Sequence, residues 1–188
     1  MSEPIALTLP ADRAALAALR TGDEVWLSGT VFTARDATHE RIAASLAADG
    51  VLPFGLSGQA LLYAGPTPER PGWPAGSVGP TTAKRMDAWT PALLAAGITA
   101  TIGKGARSEE VRRACVEHGA VYFAAVGGAA ALLGRHVTAS ETVAWQELGT
   151  EALVKLTLVD FPAFVAIDTA GGDLYASAPQ EWQTEAGR

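Results

Sequence analysis

The sequence contains little of what a disulfide framework or a metal centre requires. Cys115 is its only cysteine, and the three histidines, His39, His118 and His136, are scattered without the spacing of metal ligands. A single thiol cannot form an intramolecular disulfide, and by itself it cannot supply the thiolates of a zinc or iron–sulfur site. We therefore expect no metal to be held by this chain alone, and we expect Cys115 to be a small buried side chain on a helix.

Positive charge and long apolar runs are also scarce. The chain carries 14 Lys and Arg against 20 Asp and Glu, a net charge of −6. Nonspecific binding to nucleic acids or membrane surfaces needs basic patches or basic amphipathic helices, so neither is expected. No apolar run approaches the length of a spanning helix, and the N-terminus does not resemble a signal peptide. We expect a soluble, cytoplasmic protein whose anion sites come from a few clustered cations.

The sequence does have the apolar content of a folded domain. Hydrophobic residues make up 48% of the 188 positions and charged residues 18%, so one domain over residues 1–188 is expected. Strand-like and helix-like segments alternate from Glu24 to Leu133 and give way to strands alone afterwards. This order predicts an α/β domain with a partly parallel sheet and added C-terminal β structure. Residues 179–188 are polar and predict a frayed tail.

Several segments carry signals for particular elements. Glu24–Phe32 is β-branched and aromatic with a glycine in its middle, which indicates a strand that bends or that another backbone approaches closely. Thr33 and Asp36 have the spacing of a capping box, which would place Arg35 in the first turn of a helix. Ser108 predicts the N-cap of a later helix. Towards the C-terminus we expect strands at Glu141–Gln146, Ala152–Leu158 and Phe161–Ile167, and a hairpin through Gly171 and Gly172.

The stretch Val78–Asp87, with the sequence VGPTTAKRMD, places two hydroxyls and two cations beside a turn. The Gly-Pro pair interrupts regular structure, and the two threonines are suited to start a helix. Thr81 and Arg85 would then share one helical face and could approach one small polar ligand together. The alternative is an ordinary junction between a loop and a helix, with a threonine as N-cap.

Three predicted strand ends are followed by a cation, namely Arg35, Arg85 and Lys104. In open α/β sheets, ligands bind beyond the carboxyl ends of the strands, so these turns are candidates to converge. Two arginines and a lysine could hold a small dianion through charge-assisted hydrogen bonds. Arg107 and the turn at Gly127-Gly128 are further candidates, since glycines before a helix let a ligand approach backbone N–H groups. The alternative is that each cation is a separate surface residue.

Six motifs occur in an order that is more specific than any single turn. They are TARDATHER at 33–41, YAGP at 63–66, VGPTTAKRMD at 78–87, GKGARSEEV at 103–111, VGGAAALL at 126–133 and LVDFP at 158–162. Together they resemble the beta subunit, or C-terminal domain, of class I fumarases and the related tartrate dehydratases. The resemblance covers nearly the whole chain.

This resemblance implies a swivelling β/β/α domain that closes over a 4Fe-4S cluster. The cluster would be held by a separate alpha subunit, in a heterotetramer of two alpha and two beta subunits. Members of the family reversibly add water across the double bond of fumarate or a similar small dicarboxylate. The single cysteine agrees with this arrangement, because the cluster's cysteines would then belong to the partner.

The resemblance also implies roles for residues that match the motifs. Arg35 and Arg85 correspond to clamps for the substrate carboxylates, and Lys104 corresponds to a further substrate ligand. Thr81 corresponds to the residue implicated in proton transfer at the carbon that loses hydrogen. A threonine hydroxyl is a poor base, so it would need an activating group from the partner. By chemistry alone Thr82 is equally available.

Three alternatives stay open at this point. Tartrate dehydratases and mesaconate hydratases share the implied architecture, so the substrate is not fixed. A non-catalytic module that binds dicarboxylates would keep the same cations. A generic α/β domain with unrelated turns would leave the three cations far apart.

Overall fold

The computed structural model describes residues 3–186, apart from the side chains of residues 181 and 184–186. The strands are β1 (Ile5–Leu9), β2 (Glu24–Thr33), β3 (Ala60–Leu62), β4 (Ala100–Gly103), β5 (Val121–Ala124), β6 (Val137–Ala144) and β7 (Leu153–Ile167). The α-helices are α1 (Arg13–Ala18), α2 (Asp36–Asp49), α3 (Thr90–Ala95), α4 (Glu109–His118), α5 (Ala130–Gly134) and α6 (Leu174–Ala186). Short 3₁₀ helices lie at Pro53–Gly55, Ala83–Met86 and Gln146–Glu151.

The first five strands are parallel and lie side by side in sequence order. Each of β1 to β5 is hydrogen-bonded to the next. The long strand β7 is antiparallel and pairs with β2, β5 and β6. Because β7 joins both β2 and β5, strands β2, β3, β4, β5 and β7 close into a ring. The predicted α/β fold with a partly parallel sheet and β structure after it is confirmed.

Two apolar cores lie on opposite faces of the parallel strands. Along β3, Ala60 and Leu62 contribute to one core and Leu61 to the other, as the two-residue period of a strand requires. The first core is formed mainly by strands, including β1 and β7. The second packs the parallel strands against α2, α3 and α4. Cys115 is buried in the second core, as predicted.

The glycine in the middle of β2 is the close-approach point that its sequence predicts. Gly29 pairs with Leu9 of β1 and has a φ of +102°. A Cβ at this position would overlap the carbonyl oxygen of Leu9. The ladder between β2 and β7 is also irregular between Leu27 and Gly29. Only glycine combines this φ with this contact at low cost.

The capping box predicted at Thr33 and Asp36 is wrong. Thr33 is the last residue of β2, and its hydroxyl donates to the carbonyl of Ala152 and accepts from the N–H of Val154. Because β7 uses this hydroxyl, it does not cap the helix. The N-cap position of α2 is Arg35, which makes no side-chain capping bond.

Of two other predicted helix starts, one is present in the structure and one is not. Ser108 caps α4 as predicted, with its hydroxyl accepting from the N–H of Val111. The two threonines of the VGPTTAKRMD stretch do not start an α-helix. A four-residue 3₁₀ helix begins after them, and Thr82 at its N-cap makes no side-chain capping bond.

The C-terminal third differs from the prediction in its strands. The strand expected at Glu141–Gln146 is β6, which begins and ends earlier. The two strands expected between residues 152 and 167 are one strand, β7, which passes through Asp160 at a φ of +51°. It is continuous because β2 pairs with it on both sides of this irregularity.

Residues 174–186 are helical, and the hairpin that the sequence predicts through Gly171 and Gly172 does not form. Beyond Gly171 and Gly172, one antiparallel bridge joins Ile167 to Asp173, and α6 follows. Its first turn is attached to the sheet, since the Tyr175 hydroxyl accepts from a backbone N–H after β4. Residues 187 and 188 lie outside the described residues. Among those described, no helix is both long enough and apolar enough to span a membrane.

Candidate active site

The turns that carry the predicted site residues follow neighbouring strands at one edge of the sheet. Since β2, β3, β4 and β5 are parallel and adjacent, their carboxyl ends lie side by side. Arg35 follows β2, Tyr63 follows β3 and Lys104 follows β4. The turn at Gly127-Gly128 follows β5. The fold therefore brings these turns to one edge. The prediction that Arg85 also follows a strand end is wrong, because it lies on the 3₁₀ helix Ala83–Met86, far along the connection between β3 and β4.

Arg35 leaves β2 and packs against the turn after β3. Its Cδ and Nη1 atoms lie 3.2 Å from the position that a Cβ on Gly65 would occupy. Its Nη2 atom lies 3.5 Å from Glu151 Oε1, and the side chain is 26% exposed. Its Nε atom is buried without a hydrogen-bond partner among the described residues. Arg35 is thus held along its stem, with its head partly open to a ligand.

Arg85 projects from the 3₁₀ helix and pairs with the residue next to Arg35. Its Nε and Nη2 atoms donate to the two carboxylate oxygens of Asp36, at 3.0 and 2.6 Å. Asp36 is the first residue of α2, where a carboxylate is favoured by the helix dipole. The Arg85 side chain is 49% exposed. Arg85 is therefore joined to the residue that follows Arg35 in the chain.

Thr81 and Lys104 are joined through their backbones. The Lys104 N–H donates to the Thr81 carbonyl at 3.2 Å, and the Ala83 N–H donates to the Lys104 carbonyl at 2.9 Å. The Thr81 N–H in turn donates to the Tyr63 carbonyl at 2.6 Å. Because Thr81 precedes the 3₁₀ helix that carries Arg85, the predicted common helical face does not form.

The side chains of this pair remain available. No hydrogen bond of the Thr81 hydroxyl is found within residues 3–186. Lys104 is half-buried and makes no ion pair with any described residue. Its Cδ lies 3.3 Å from where a Cβ on Gly127 would be, so the glycine leaves room for the lysine stem. Helix α5, which follows this turn, has only five residues, so its N-terminus is too short to form an anion site. The Gly127-Gly128 turn instead packs beside the Lys104 side chain.

Arg107 is not at the surface where a ligand could reach it. Its side chain is fully buried, and it donates to Asp87 at 2.6 Å, Thr90 at 2.7 Å and Thr101 at 3.3 Å. Burial opposes its charge, but the Asp87 carboxylate favours it, and the net pKa is raised. Asp87 also accepts from the backbone N–H of Ser108. Arg107 thus ties the loop of Arg85 to the loop of Lys104.

Two tyrosines hold the peptide that follows Lys104. The Tyr122 hydroxyl donates to the carbonyl of Gly105 at 2.8 Å, and the Gly105 N–H donates to the Tyr175 hydroxyl at 3.0 Å. The Tyr122 ring also lies 4.9 Å from the guanidinium carbon of Arg107. Burial raises the pKa of Tyr122 well above its ordinary value, so it remains a neutral donor.

His39 is a buried imidazole directly behind Arg35. Its Nδ1 lies 2.9 Å from the Arg35 carbonyl oxygen. A carbonyl only accepts, so Nδ1 carries the hydrogen and donates. Its Nε2 then has no partner among the described residues. Burial lowers the pKa of His39 to about 4, so the ring is neutral at physiological pH.

The described residues do not provide a ligand set for a metal. No group of three or more His, Cys, Asp or Glu side chains within them could hold an ion. Cys115 is buried away from the site edge, and burial raises the pKa of its thiol to about 12. It is therefore a packing residue and neither a nucleophile nor a thiolate ligand.

Two cavities are not lined by the candidate cations. One of about 430 Å³ and one of about 290 Å³ flank the proline-rich loop 66–77. Arg35, Arg85 and Lys104 line neither of them. The cation edge is the better candidate for a small dianion, because it combines three cations, whereas the first cavity has Glu69 and the second has Arg70 as its charged lining residue.

Sequence reasoning missed the carboxylates that hold the cations. Asp36 and Asp87 each lie within two residues of a predicted clamp, as Arg35-Asp36 and Arg85-Met86-Asp87. An acid so close to a candidate clamp is a signal that could have identified them. Glu151 gives no such signal, since it lies in the 3₁₀ helix Gln146–Glu151, more than 100 residues from Arg35 in the sequence.

Fold and site together define a class of protein: a mixed α/β domain with cations at the carboxyl edge of its parallel strands. A sequence model of the family described as Fumarase C-terminus matches residues 2–178. The chain belongs to this family.

Similarity to individual proteins agrees with this assignment. The anaerobic class I fumarate hydratase of Escherichia coli (strain K12) is 39% identical over 151 residues, which are 79% of this chain and 28% of that protein. The putative L(+)-tartrate dehydratase subunit beta of Methanocaldococcus jannaschii is 37% identical over 163 residues, 84% of each chain. The L(+)-tartrate dehydratase subunit beta of E. coli is 34% identical over 175 residues, 90% of this chain and 86% of that one. This chain thus spans less than a third of the fumarate hydratase and most of the tartrate dehydratase subunits.

Proposed function

We propose that this chain is the beta subunit of a hydro-lyase that reversibly hydrates fumarate to L-malate. One observation supports this most: Arg35 and Lys104 follow parallel strands whose carboxyl ends share one sheet edge. Arg85, on the 3₁₀ helix between β3 and α3, is joined to the same edge through Asp36 and through the backbone bonds of Thr81 and Ala83 to Lys104. The match over most of two proteins named as beta subunits supports a separate alpha subunit as partner. We place the two kinds of subunit in a heterotetramer, two of each.

The proposed roles follow from charge and geometry. Arg35 and Arg85 bind the two substrate carboxylates, since a guanidinium fork matches a carboxylate with two parallel hydrogen bonds. Lys104 supplies a third positive charge. These cations neutralise the dianion and stabilise the charge that develops on its carboxylate in the transition state. Thr81 takes part in proton transfer with a base from the partner, because its hydroxyl has no activating neighbour within residues 3–186.

A 4Fe-4S cluster belongs to the proposal as a group of the partner subunit. The described residues of this chain do not fit such a cluster, because they contain one buried thiol and no metal-binding group. The roles given above are those of this chain's own side chains. An open, exposed cation edge is also suited to a domain that swivels over a partner's surface to complete the site.

The substrate is tested by comparing rates on the assembled enzyme. Fumarate, mesaconate and L(+)-tartrate are offered to the complex of this chain with its alpha subunit under anaerobic conditions. We expect fumarate to be the preferred substrate by kcat/KM. A higher kcat/KM for tartrate or mesaconate assigns the chain to those dehydratases instead. Binding of a dicarboxylate without turnover of any of the three indicates a non-catalytic binding module.

A further inference from the structure

The pairing of Arg85 with Asp36 leaves one edge of the guanidinium free. A guanidinium presents a side-on edge, formed by Nε and Nη2, and an end-on edge, formed by Nη1 and Nη2. Asp36 accepts from Nε at 3.0 Å and from Nη2 at 2.6 Å, so it occupies the side-on edge. The Nη1 atom and the second hydrogen of Nη2 remain for another carboxylate. The half-exposed side chain is open to a ligand from solvent.

Asp36 is fixed more firmly than Arg85. Asp36 is the first residue of α2, and only two residues separate it from Thr33, the last residue of β2. Its carboxylate lies in the first turn of the helix. Arg85 is carried by a four-residue 3₁₀ helix, and its long side chain has many rotamers in isolation. The pair therefore connects a flexible cation to a fixed anion on the main sheet.

We propose that Asp36 is the positioning residue of the substrate site, holding the Arg85 guanidinium by its side-on edge so that the end-on edge faces the substrate carboxylate. This inference rests on the proposed function, because it takes Arg85 as a substrate clamp. Asp36 itself does not contact the substrate and acts only through Arg85.

The same contact has a second interpretation with the opposite consequence. If Asp36 occupied the place of the substrate carboxylate, it would compete with the substrate and mask Arg85. Removing it would then tighten binding. Positioning predicts that removing it weakens binding, because Arg85 loses its orientation. The side-on geometry favours positioning, since two carboxylates can share one guanidinium on different edges.

The test uses the complete complex with the alpha subunit and two variants of Asp36. Asp36→Ala removes both acceptor oxygens, whereas Asp36→Asn keeps one acceptor and the shape. Glu147→Gln is the matched control, because it removes another exposed ion pair of α2, Arg41–Glu147, which has the same 2.6 Å separation. KM and kcat are measured with fumarate, and the dissociation constant is measured with succinate, a saturated dicarboxylate of the same length.

Salt separates orientation from simple charge repulsion. Losing a negative charge near the site would by itself favour a dianion, but this effect is screened at about 0.5 M salt, where the Debye length is only a few ångströms. At that salt concentration we expect Asp36→Ala to raise KM and the succinate dissociation constant at least about tenfold, the scale of one charge-assisted hydrogen bond. Asp36→Asn should have a smaller effect, kcat should fall less than KM rises, and Glu147→Gln should match wild type.

The outcomes separate this inference from the proposed function. Unchanged or tighter succinate binding in Asp36→Ala, with wild type binding normally, overturns the positioning role and leaves the function intact. A loss confined to kcat, or an equal loss in Glu147→Gln, also overturns it. A wild-type complex that binds no dicarboxylate refutes the proposed function, and this inference with it.

Discussion

Single residues at the cation edge differ in how they are held. Arg35 Nη2 lies 3.5 Å from Glu151 Oε1, and Arg85 donates two hydrogen bonds to Asp36. Lys104, in contrast, has no ion pair with any described residue. The arginines therefore enter a binding event already oriented, and the lysine enters as a mobile point charge. An arginine held in place loses less conformational entropy when it binds a carboxylate. This division suits clamps on two carboxylates and a third, adaptable cation.

Replacing Arg85 by lysine tests the clamp directly. An ammonium keeps the charge but cannot bind Asp36 side-on and a substrate carboxylate end-on at the same time. We expect Arg85→Lys to raise KM for fumarate at least about tenfold in the assembled enzyme. Steady-state kinetics with fumarate measure this.

The control for this substitution is Arg41→Lys. Arg41 lies on α2 and makes an exposed pair with Glu147, so the same chemical change there should leave KM at the wild-type value. Equal KM values for Arg85→Lys and wild type would remove Arg85 from the site.

His39 makes the stability of the fold dependent on pH. Its pKa is lowered from 6.5 to about 4 by burial, so as pH falls the unfolded chain takes up a proton before the native protein does. The contribution of neutral His39 is complete above pH 6.5 and is lost as pH falls towards 4. The expected loss is about 3 kcal/mol of unfolding free energy.

Urea unfolding of wild type and His39→Asn between pH 7.5 and 4 measures this contribution. The asparagine amide can still donate to the Arg35 carbonyl, but it does not ionise. The variant should be less stable at neutral pH, because it packs less well, and its stability should fall less steeply with acid. Parallel pH profiles for the two proteins would show that His39 is not the responsible group.

The sequence reveals the cations but not the carboxylates that hold them. Arg35, Arg85 and Lys104 can be identified because each follows a strand signal and a glycine or threonine turn. Arg107 has the same sequence signal, yet it is buried. Its environment comes from Thr90 and Asp87 of other segments. Burial of a cation depends on long-range packing, which local spacing does not contain.

At the scale of elements, two loops are fastened to each other below the site. The buried Arg107 bonds Asp87 after the 3₁₀ helix, and Asp87 also accepts from Ser108 at the start of α4. Breaking a buried pair by removing one partner leaves an uncompensated charge, which is strongly destabilising. The loops of Arg85 and Lys104 therefore keep a fixed spacing, with Tyr122 holding the peptide after Lys104.

The close approach of β1 to β2 at Gly29 gives a test of how these elements pack. Gly29→Ala places a Cβ against the carbonyl of Leu9 at a φ of +102°, so β1 must move. Gly22→Ala is the matched control, because its φ is +94° and no atom lies within 4 Å of the new Cβ. The control should lose only the backbone cost, about 1–2 kcal/mol.

Gly29→Ala should lose clearly more than this control, by roughly 1–3 kcal/mol, the usual cost of overpacking. Chemical denaturation of both variants gives the difference in unfolding free energy. Equal losses would mean that β1 accommodates the methyl group, and the close approach would then not determine the choice of glycine.

Elements with local signals are predicted well, and those set by pairing are not. Ser108 caps α4 because its hydroxyl is free to do so. Thr33 has an equally good capping signal, but β7 takes its hydroxyl through the ladder with β2. Likewise, Asp160 reads as a break between two strands, whereas pairing with β2 on both sides keeps β7 continuous. The competing partner in each case comes from more than 100 residues away, beyond any local window.

At the scale of the whole molecule, the ring of strands forms a base that carries the candidate cations at one edge. Two apolar cores support the parallel strands from both faces, and the turns at their carboxyl ends carry the cations. Neither cavity beside the loop 66–77 is lined by these cations. Under the proposed function, this exposed edge binds the dianion, and the Thr81 hydroxyl, which has no hydrogen-bond partner within residues 3–186, needs a base from elsewhere. A second protein surface would supply that base.

The most direct test of this account is the fumarate hydration rate of the chain before and after assembly. The purified chain is assayed anaerobically by fumarate absorbance, alone and after mixing with its alpha subunit. The account predicts no turnover by the isolated chain and rapid turnover by the complex. Turnover by the isolated chain, or an assembled complex that is inactive on every dicarboxylate offered, would contradict it.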